Sequence, residues 1–299
     1  MKKVIIDIGS NSMRQTLYEV SDGSFQILFR KKFMAGLAGY VKKENLTNEG
    51  IERAITGLKD FKQTQQLLNI DNSDVSIFAT ASLRNIRNTE DVQARILSET
   101  GYNVEILSGE QEAYLGYTGA MQEVPADSGA FVDIGGASTE IVSFDKNKVR
   151  RDSSFPVGSL NLYKKCVKHI LPSEKSLKKI EKTITDQIDK DYLYLFDKRS
   201  PLICVGGTSR AVLKIAKRRY DLPEDCNTIT GEQFKELSHY LMSGKEEIKD
   251  VILKLEPDRI HTLIPGIAIL HHIYKLFDAK ELIVSSYGVR EGYLCQKLM

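Results

Sequence analysis

Apolar positions along the chain follow two rhythms, and the switches between them mark the elements. Near the start, Val4-Ile5-Ile6 runs into Asp7-Ile8-Gly9, and an apolar-rich segment then occupies Gln15 to Val20. The turn residues Ser21-Asp22-Gly23-Ser24 lead to a third segment, Phe25 to Phe33. Short apolar or alternating runs bounded by Gly, Ser, Asn and Asp predict strands. Residues 34 to 45 predict an irregular loop. From Thr47 the rhythm changes: Ile51, Ala54, Ile55, Leu58, Phe61 and Leu68 lie close to helical spacing, predicting a helix through residue 69. Strands over Val75 to Ala79 and Val104 to Leu107 alternate with helices over Asn88 to Glu99 and from Ser108, where Ser108 and Gln111 match a capping box.

After the polar connector MQEVPADSG the pattern begins again. A hairpin over 131–144, a turn at Asp145 to Lys148 and a strand over Val149 to Val157 repeat the opening. Helices follow from Gly158-Ser159 and over Pro172 to Asp191, then a strand over Leu202 to Val205 that turns through Gly206-Gly207 into another helix. Two more helices (231–241 and 245–255), a helix whose true start is marked by Pro265-Gly266, a strand over Leu282 to Ser285 and a terminal helix complete the chain. Strand-rich openings followed by alternating strands and helices, twice, predict a two-domain α/β protein. The expected domains are 1–124, joined by a C-terminal helix at about 287–299, and 125–286, with domain closure about hinges near 120–130 and 284–290.

Composition agrees with this picture. The 299 residues suffice for two cores, and 41% hydrophobic with 27% charged residues is ordinary for a globular protein. A net charge of +2 supplies no global field toward nucleic acid or membrane, so neither is expected as a partner. Cys166, Cys204, Cys226 and Cys295 have neither C-x-x-C nor metal-type spacing and are expected to be reduced, as in a cytoplasmic protein. The first apolar run ends at Asp7, too early for a signal peptide, and no run is long enough to span a membrane.

The chemistry concentrates where strands end. Asp7-Ile8-Gly9-Ser10-Asn11-Ser12 and Asp133-Ile134-Gly135-Gly136-Ala137-Ser138 share one pattern at an offset of 126 residues. Each is a carboxylate at a strand end followed by a tight turn whose amides can line an anion-binding concavity. A carboxylate beside such a turn suits a cation such as Mg²⁺ lying between protein and phosphate. Val205-Gly206-Gly207-Thr208 is a third strand-to-helix turn able to seat a phosphate on a helix N-terminus. Arg84, just past a strand, either grips phosphate or caps the following helix. Glu110 and Glu112 either complement a helix dipole or include a general base. The lysine-rich stretch containing Lys164, Lys165, Lys168, Lys175, Lys178, Lys179 and Lys182 is either a solvated face or a track for a long anion.

The ordered set DIGSNS, ATASLR, SGEQEA, DIGGAST, CVGGTSR and SSYGVREGYL resembles the exopolyphosphatase/guanosine pentaphosphate phosphohydrolase family, in its short two-domain form, over about residues 4 to 296. The resemblance implies two ribonuclease H-like domains of the actin, sugar-kinase and heat-shock ATPase superfamily, with a cleft between them. It implies Asp7, Asp133 and Glu140 as metal-side carboxylates, Glu112 as catalytic base and Arg84 as phosphate-gripping arginine. Gly9, Ser10, Asn11, Ser12, Gly135, Gly136, Ala137 and Ser138 match its phosphate loops, and Gly206, Gly207 and Thr208 its third loop. Ala137 stands where the family usually has a third glycine; were that position to need positive φ, alanine would cost about 1 kcal/mol. The implied activity is release of terminal orthophosphate from inorganic polyphosphate with Mg²⁺ or another divalent cation. The alternatives are removal of the 5′ terminal phosphate from guanosine pentaphosphate, or a sensor that binds without turnover. A homodimer is also implied.

Overall fold

The computed structural model describes residues 1–188 and 201–299. They divide into two compact units, Met1–Glu112 with Tyr293–Met299, and Ala113–Gly292.

The first unit opens with the meander β1 (Lys2–Ile8), β2 (Met13–Ser21) and β3 (Ser24–Phe33). A two-residue pair, β4 (Val41–Lys42) and β5 (Asn45–Leu46), sits in the loop before helix α1 (Asn48–Leu67). Strand β6 (Val75–Ala79), the single turn α2 (Ala81–Arg84), α3 (Thr89–Thr100) and β7 (Glu105–Ile106) follow. The sheet order is β3-β2-β1-β6-β7, antiparallel across the meander and parallel from β1 outward. Alternation along β1 sends Val4, Ile6 and Ile8 to one face, where they are buried with Ala54, Leu58 and Phe61 of α1 and Val92 and Ile96 of α3. Thr47 caps α1 by accepting from Gly50 N, as its sequence position predicts.

Helix α4 (Gly109–Met121) carries the chain from the first unit into the second. There β8 (Gly129–Ile134), β9 (Thr139–Asp145) and β10 (Lys148–Phe155) form the second meander. Helices α5 (Ser159–Cys166) and α6 (Glu174–Gln187) come next. The residues 189–191 of the expected charged helix lie outside the described ones. Then follow β11 (Leu202–Val205), α7 (Gly206–Tyr220), β12 (Thr228–Thr230), α8 (Gly231–Leu241) and α9 (Glu247–Leu255). The chain ends with α10 (Leu263–Phe277), β13 (Glu281–Val284) and α11 (Val289–Lys297). Sheet order here is β10-β9-β8-β11-β13-β12. The first five strands repeat the order and directions of the first sheet, so each unit is ribonuclease H-like, and β12 is added antiparallel to β13. Strand β12 was not expected; three residues with one buried apolar position carry no periodicity.

Within the second unit α4 and α11 cross backbone against backbone. A Cβ on Gly119 would stand 2.7 Å from Gly292 N and overlap Gly288 O; one on Gly292 would overlap the Leu115 carbonyl. Among the described residues no helix is long and apolar enough to cross a membrane, and all four cysteines are free thiols.

Buried in α10, His271 shares a 2.7 Å hydrogen bond with Ser238 Oγ and lies 5.1 Å, ring to ring, from His239. Burial lowers its pKa to about 4, assisted by the charges of Lys275, His239, His272 and Lys235. The unfolded chain binds this proton near 6.5 and the folded chain only near 4. Stability from this group is therefore complete above pH 6.5 and is lost as pH falls toward 4, by about 3 kcal/mol. Urea unfolding at pH 7, 5.5 and 4.5 should show this slope, and His271→Gln should flatten it; an unchanged slope in the variant would refute the assignment.

Candidate active site

In the first unit β1 delivers Asp7 to the end of the sheet. Gly9 N donates to Ser12 O at 3.2 Å and closes the turn. Ser82 Oγ donates to Ile8 O, while the Ser10 and Asn11 carbonyls accept from Ala38 N and Gly36 N at 3.0 and 2.9 Å. The loop's carbonyls are thus engaged, and the N–H groups of Ser10, Asn11 and Ser12 have no protein acceptor among the described residues. A loop with its acceptors turned away and its donors presented is an anion cradle.

The two glutamates of the same unit differ in surroundings. Ser108 and Gln111 form the expected capping box, with Gln111 N donating to Ser108 Oγ at 3.1 Å and Ser108 N to Gln111 Oε1 at 2.8 Å. Glu110 is exposed and accepts from Ser108 Oγ; hydrogen bonds with its own backbone N–H and with that hydroxyl hold its carboxyl below the usual range. Glu112 points inward, is only 8% exposed, and accepts from Arg84 Nη1 at 2.8 Å. Arg84 Nη1 also donates to Leu107 O at 3.0 Å. Arg84 therefore fixes the direction of the Glu112 carboxylate, a task neither sequence reading of this arginine contained. Spacing carries no signal of this contact, because the partners lie 28 residues apart.

In the second unit Asp133 and Glu140 are direct cross-strand partners in β8 and β9. They share one face of the sheet, and like charges so placed repel unless something neutralises them. Glu140 is 1% exposed and accepts from Ser154 Oγ at 2.7 Å. Asp133 Oδ1 lies 2.5 Å from where a Cβ on Gly206 would stand, and Gly206 has φ +85°. Only glycine meets both demands. At the corresponding row of the first unit, 126 residues earlier, Asp7 is paired with Arg14 rather than with a carboxylate.

The loop between β8 and β9 is held from behind by α5. Gly135 N donates to Ser138 O at 2.9 Å, Ser159 N to Gly135 O, and Leu160 N and Asn161 N to Gly136 O, each at 3.0 Å. Asn161 Nδ2 reaches Ala137 O at 3.4 Å, and Gly158 packs so closely that a Cβ would stand 2.5 Å from Gly136 C. The N–H groups of Gly136, Ala137 and Ser138 have no protein acceptor among the described residues. Ala137 is not among the residues with positive φ, so the alanine costs this loop no backbone strain.

The third turn begins α7, whose N-terminus carries no side-chain cap. Gly207 leaves room for Arg259, whose guanidinium occupies the place of a side chain on that glycine; burial lowers the pKa of Arg259, and Glu256 lies 3.7 Å from its Nε. Thr208 is buried beneath Gly266 of α10. Arg259 was missed in the sequence because nothing local marks it, while Gly266 was read as lying near the helix start, which falls at Leu263.

Among the described residues no group of three His, Cys, Asp or Glu side chains could by itself hold a metal. The Asp133 and Glu140 pair nonetheless fits a hard divalent cation, since Mg²⁺ is usually held by one or two carboxylates with water and substrate phosphate completing its shell.

The profile of the Ppx/GppA phosphatase family matches residues 16–299. This chain belongs to that family. A Haemophilus influenzae protein provisionally named an exopolyphosphatase is 26% identical over 291 residues, covering 97% of this chain and 89% of that one. The crystal structure of the Aquifex aeolicus Ppx/GppA family member superposes with a TM-score of 0.79 at 27% identity, covering 100% of this chain and 97% of that one. An exopolyphosphatase from Cytophaga hutchinsonii shares the fold, with a TM-score of 0.87 at 22% identity over 98% of this chain and 96% of that one. Membership in the Ppx/GppA family makes the chain a phosphatase-family protein of exopolyphosphatase-like type.

Proposed function

We propose that the chain is an exopolyphosphatase that releases terminal orthophosphate from inorganic polyphosphate. The observation that carries the reading is the buried Glu112 carboxylate, aimed by Arg84 at the start of α4. A water oxygen attacks the terminal phosphorus, its proton passes to Glu112, and the phosphoanhydride bond breaks to leave a chain one phosphate shorter. The amide cradles at 10–12 and 136–138 bind phosphoryl oxygens. Asp133 and Glu140 would hold a divalent cation whose chemistry is neutralisation of charge on those oxygens. Because phosphoryl transfer is loose, positioning and electrostatics supply most of the acceleration.

The uncapped α7 N-terminus with Arg259 on Gly207 favours guanosine pentaphosphate as a second reading, since a nucleotide phosphorylated at two positions could use a second anion place. Phosphate release from long-chain polyphosphate, with and without Mg²⁺ and in competition with guanosine pentaphosphate, separates the readings. Metal-dependent release is expected. No release from protein that still binds polyphosphate would overturn the first reading, and release from the nucleotide alone would establish the second.

A further inference from the structure

A pocket of about 600 Å³ opens on the second unit where the loop after α5 meets the segment before α9. Lys168, His169, Lys245 and Lys249 line it against a single carboxylate, Glu246. None of these four basic side chains has a hydrogen-bond or ion-pair partner among the described residues. Some exposed basic groups elsewhere on this unit are matched, as in Lys178 with Glu174, Arg150 with Asp145 and Arg219 with Glu236. Leaving several like charges unpaired around one concavity is unfavourable by itself, and an anionic occupant relieves it. The loop that carries Lys168 and His169 is held in shape: Tyr163 Oη donates to His169 O at 3.0 Å, and Lys179 Nζ to Lys165 O, in the last turn of α5, at 2.7 Å.

Two elements connect this pocket to the site, α5 running from site to pocket and α9 from pocket to site. Helix α5 starts on the 135–138 loop, where Asn161 holds Ala137 O, and its last turn leads into Lys168. Helix α9 starts beside Lys245 and Lys249 and leads at its other end, through Glu256, to Arg259 on Gly207. With eight and nine residues, each spans about 12 to 14 Å. Exposed Asn161, Lys164 and Lys165 fall at i, i+3 and i+4 on one face of α5, and the chain then turns extended at Val167 into Lys168.

We propose that this pocket is a distal subsite for polyphosphate, holding a trailing segment of the chain whose terminal phosphate is processed at the glycine loops. The inference rests on the exopolyphosphatase reading for its ligand, and its test separates the two. Lys168→Gln, Lys245→Gln and Lys249→Gln are combined, and kcat and KM are measured for long-chain polyphosphate and for tripolyphosphate, too short to reach from the loops to the pocket. KM for the long chain should rise roughly tenfold with a shallower salt dependence, as expected for lost charge contacts. The kinetics with tripolyphosphate should not change. An unchanged long-chain KM, or equal rises for both substrates, overturns the subsite. Calorimetric binding of long-chain polyphosphate to both proteins applies the same criterion without turnover. If the wild type binds but releases no phosphate and the variant binds roughly tenfold more weakly, the subsite stands and the hydrolase reading falls. If the wild type does not bind polyphosphate, both fall.

Discussion

Glu112→Gln is expected to lower kcat for phosphate release by about 10²-fold or more while leaving substrate binding within about threefold, the pattern for loss of a general base. Glutamine has nearly the volume of glutamate, and its carbonyl can still accept from Arg84 Nη1. The geometry at the start of α4 therefore survives while the proton acceptor does not. Removing the carboxylate also takes one charged partner from Arg84, whose side chain is 18% exposed. Replacing a charged acceptor by a neutral one weakens such a hydrogen bond by about 1 kcal/mol, so the melting temperature should be measured beside the kinetics. A variant that melts lower but binds normally and does not turn over fits the proposal. One that retains more than a tenth of the wild-type rate removes Glu112 from the role of base.

The largest expected loss of stability lies at the crossing of α4 and α11. Gly292→Ala places a methyl onto the Leu115 carbonyl, with the Leu115 carbon 2.7 Å away, and Gly119→Ala places one onto Gly288 O. These obstacles are backbone atoms, in α4 and just before α11, so no rotamer change relieves them and the helices must separate. Each substitution should cost about 3 kcal/mol or more, the upper range for overpacking. Because both methyls force the same separation, the double variant should lose less than the sum. Gly207→Ala is a useful contrast: its obstacle is the far end of the Arg259 side chain, which can swing aside. Urea unfolding of the three variants checks this. Gly292→Ala melting with the wild type would show that the helices do not pack this closely.

Much of this architecture is legible in the residues because each signal is local. Apolar runs closed by glycine or Asp-Gly turns gave the two meanders, and Thr47 and Ser108 marked helix starts that their own hydroxyls stabilise. The glycine loops were legible for the same reason, their pattern being contained in six residues. What escaped depends on partners distant in sequence. Glu112 is distinguished from Glu110 by an arginine 28 residues earlier, and Arg259 matters only because Gly207, 52 residues before it, lacks a side chain. The facing of Asp133 by Glu140 depends on hairpin register, and register follows from turn geometry rather than from residue type.

The row that pairs Asp7 with Arg14 and the row that pairs Asp133 with Glu140 occupy matching places in a repeated fold, yet their charges differ in sign at one position. The first row sets an aspartate opposite an arginine, and the second sets two carboxylates opposite each other. The expected stoichiometry is accordingly a single divalent ion per chain, held by the later half. The duplicated scaffold thus offers two carboxylates in its later half where its earlier half offers one beside an arginine.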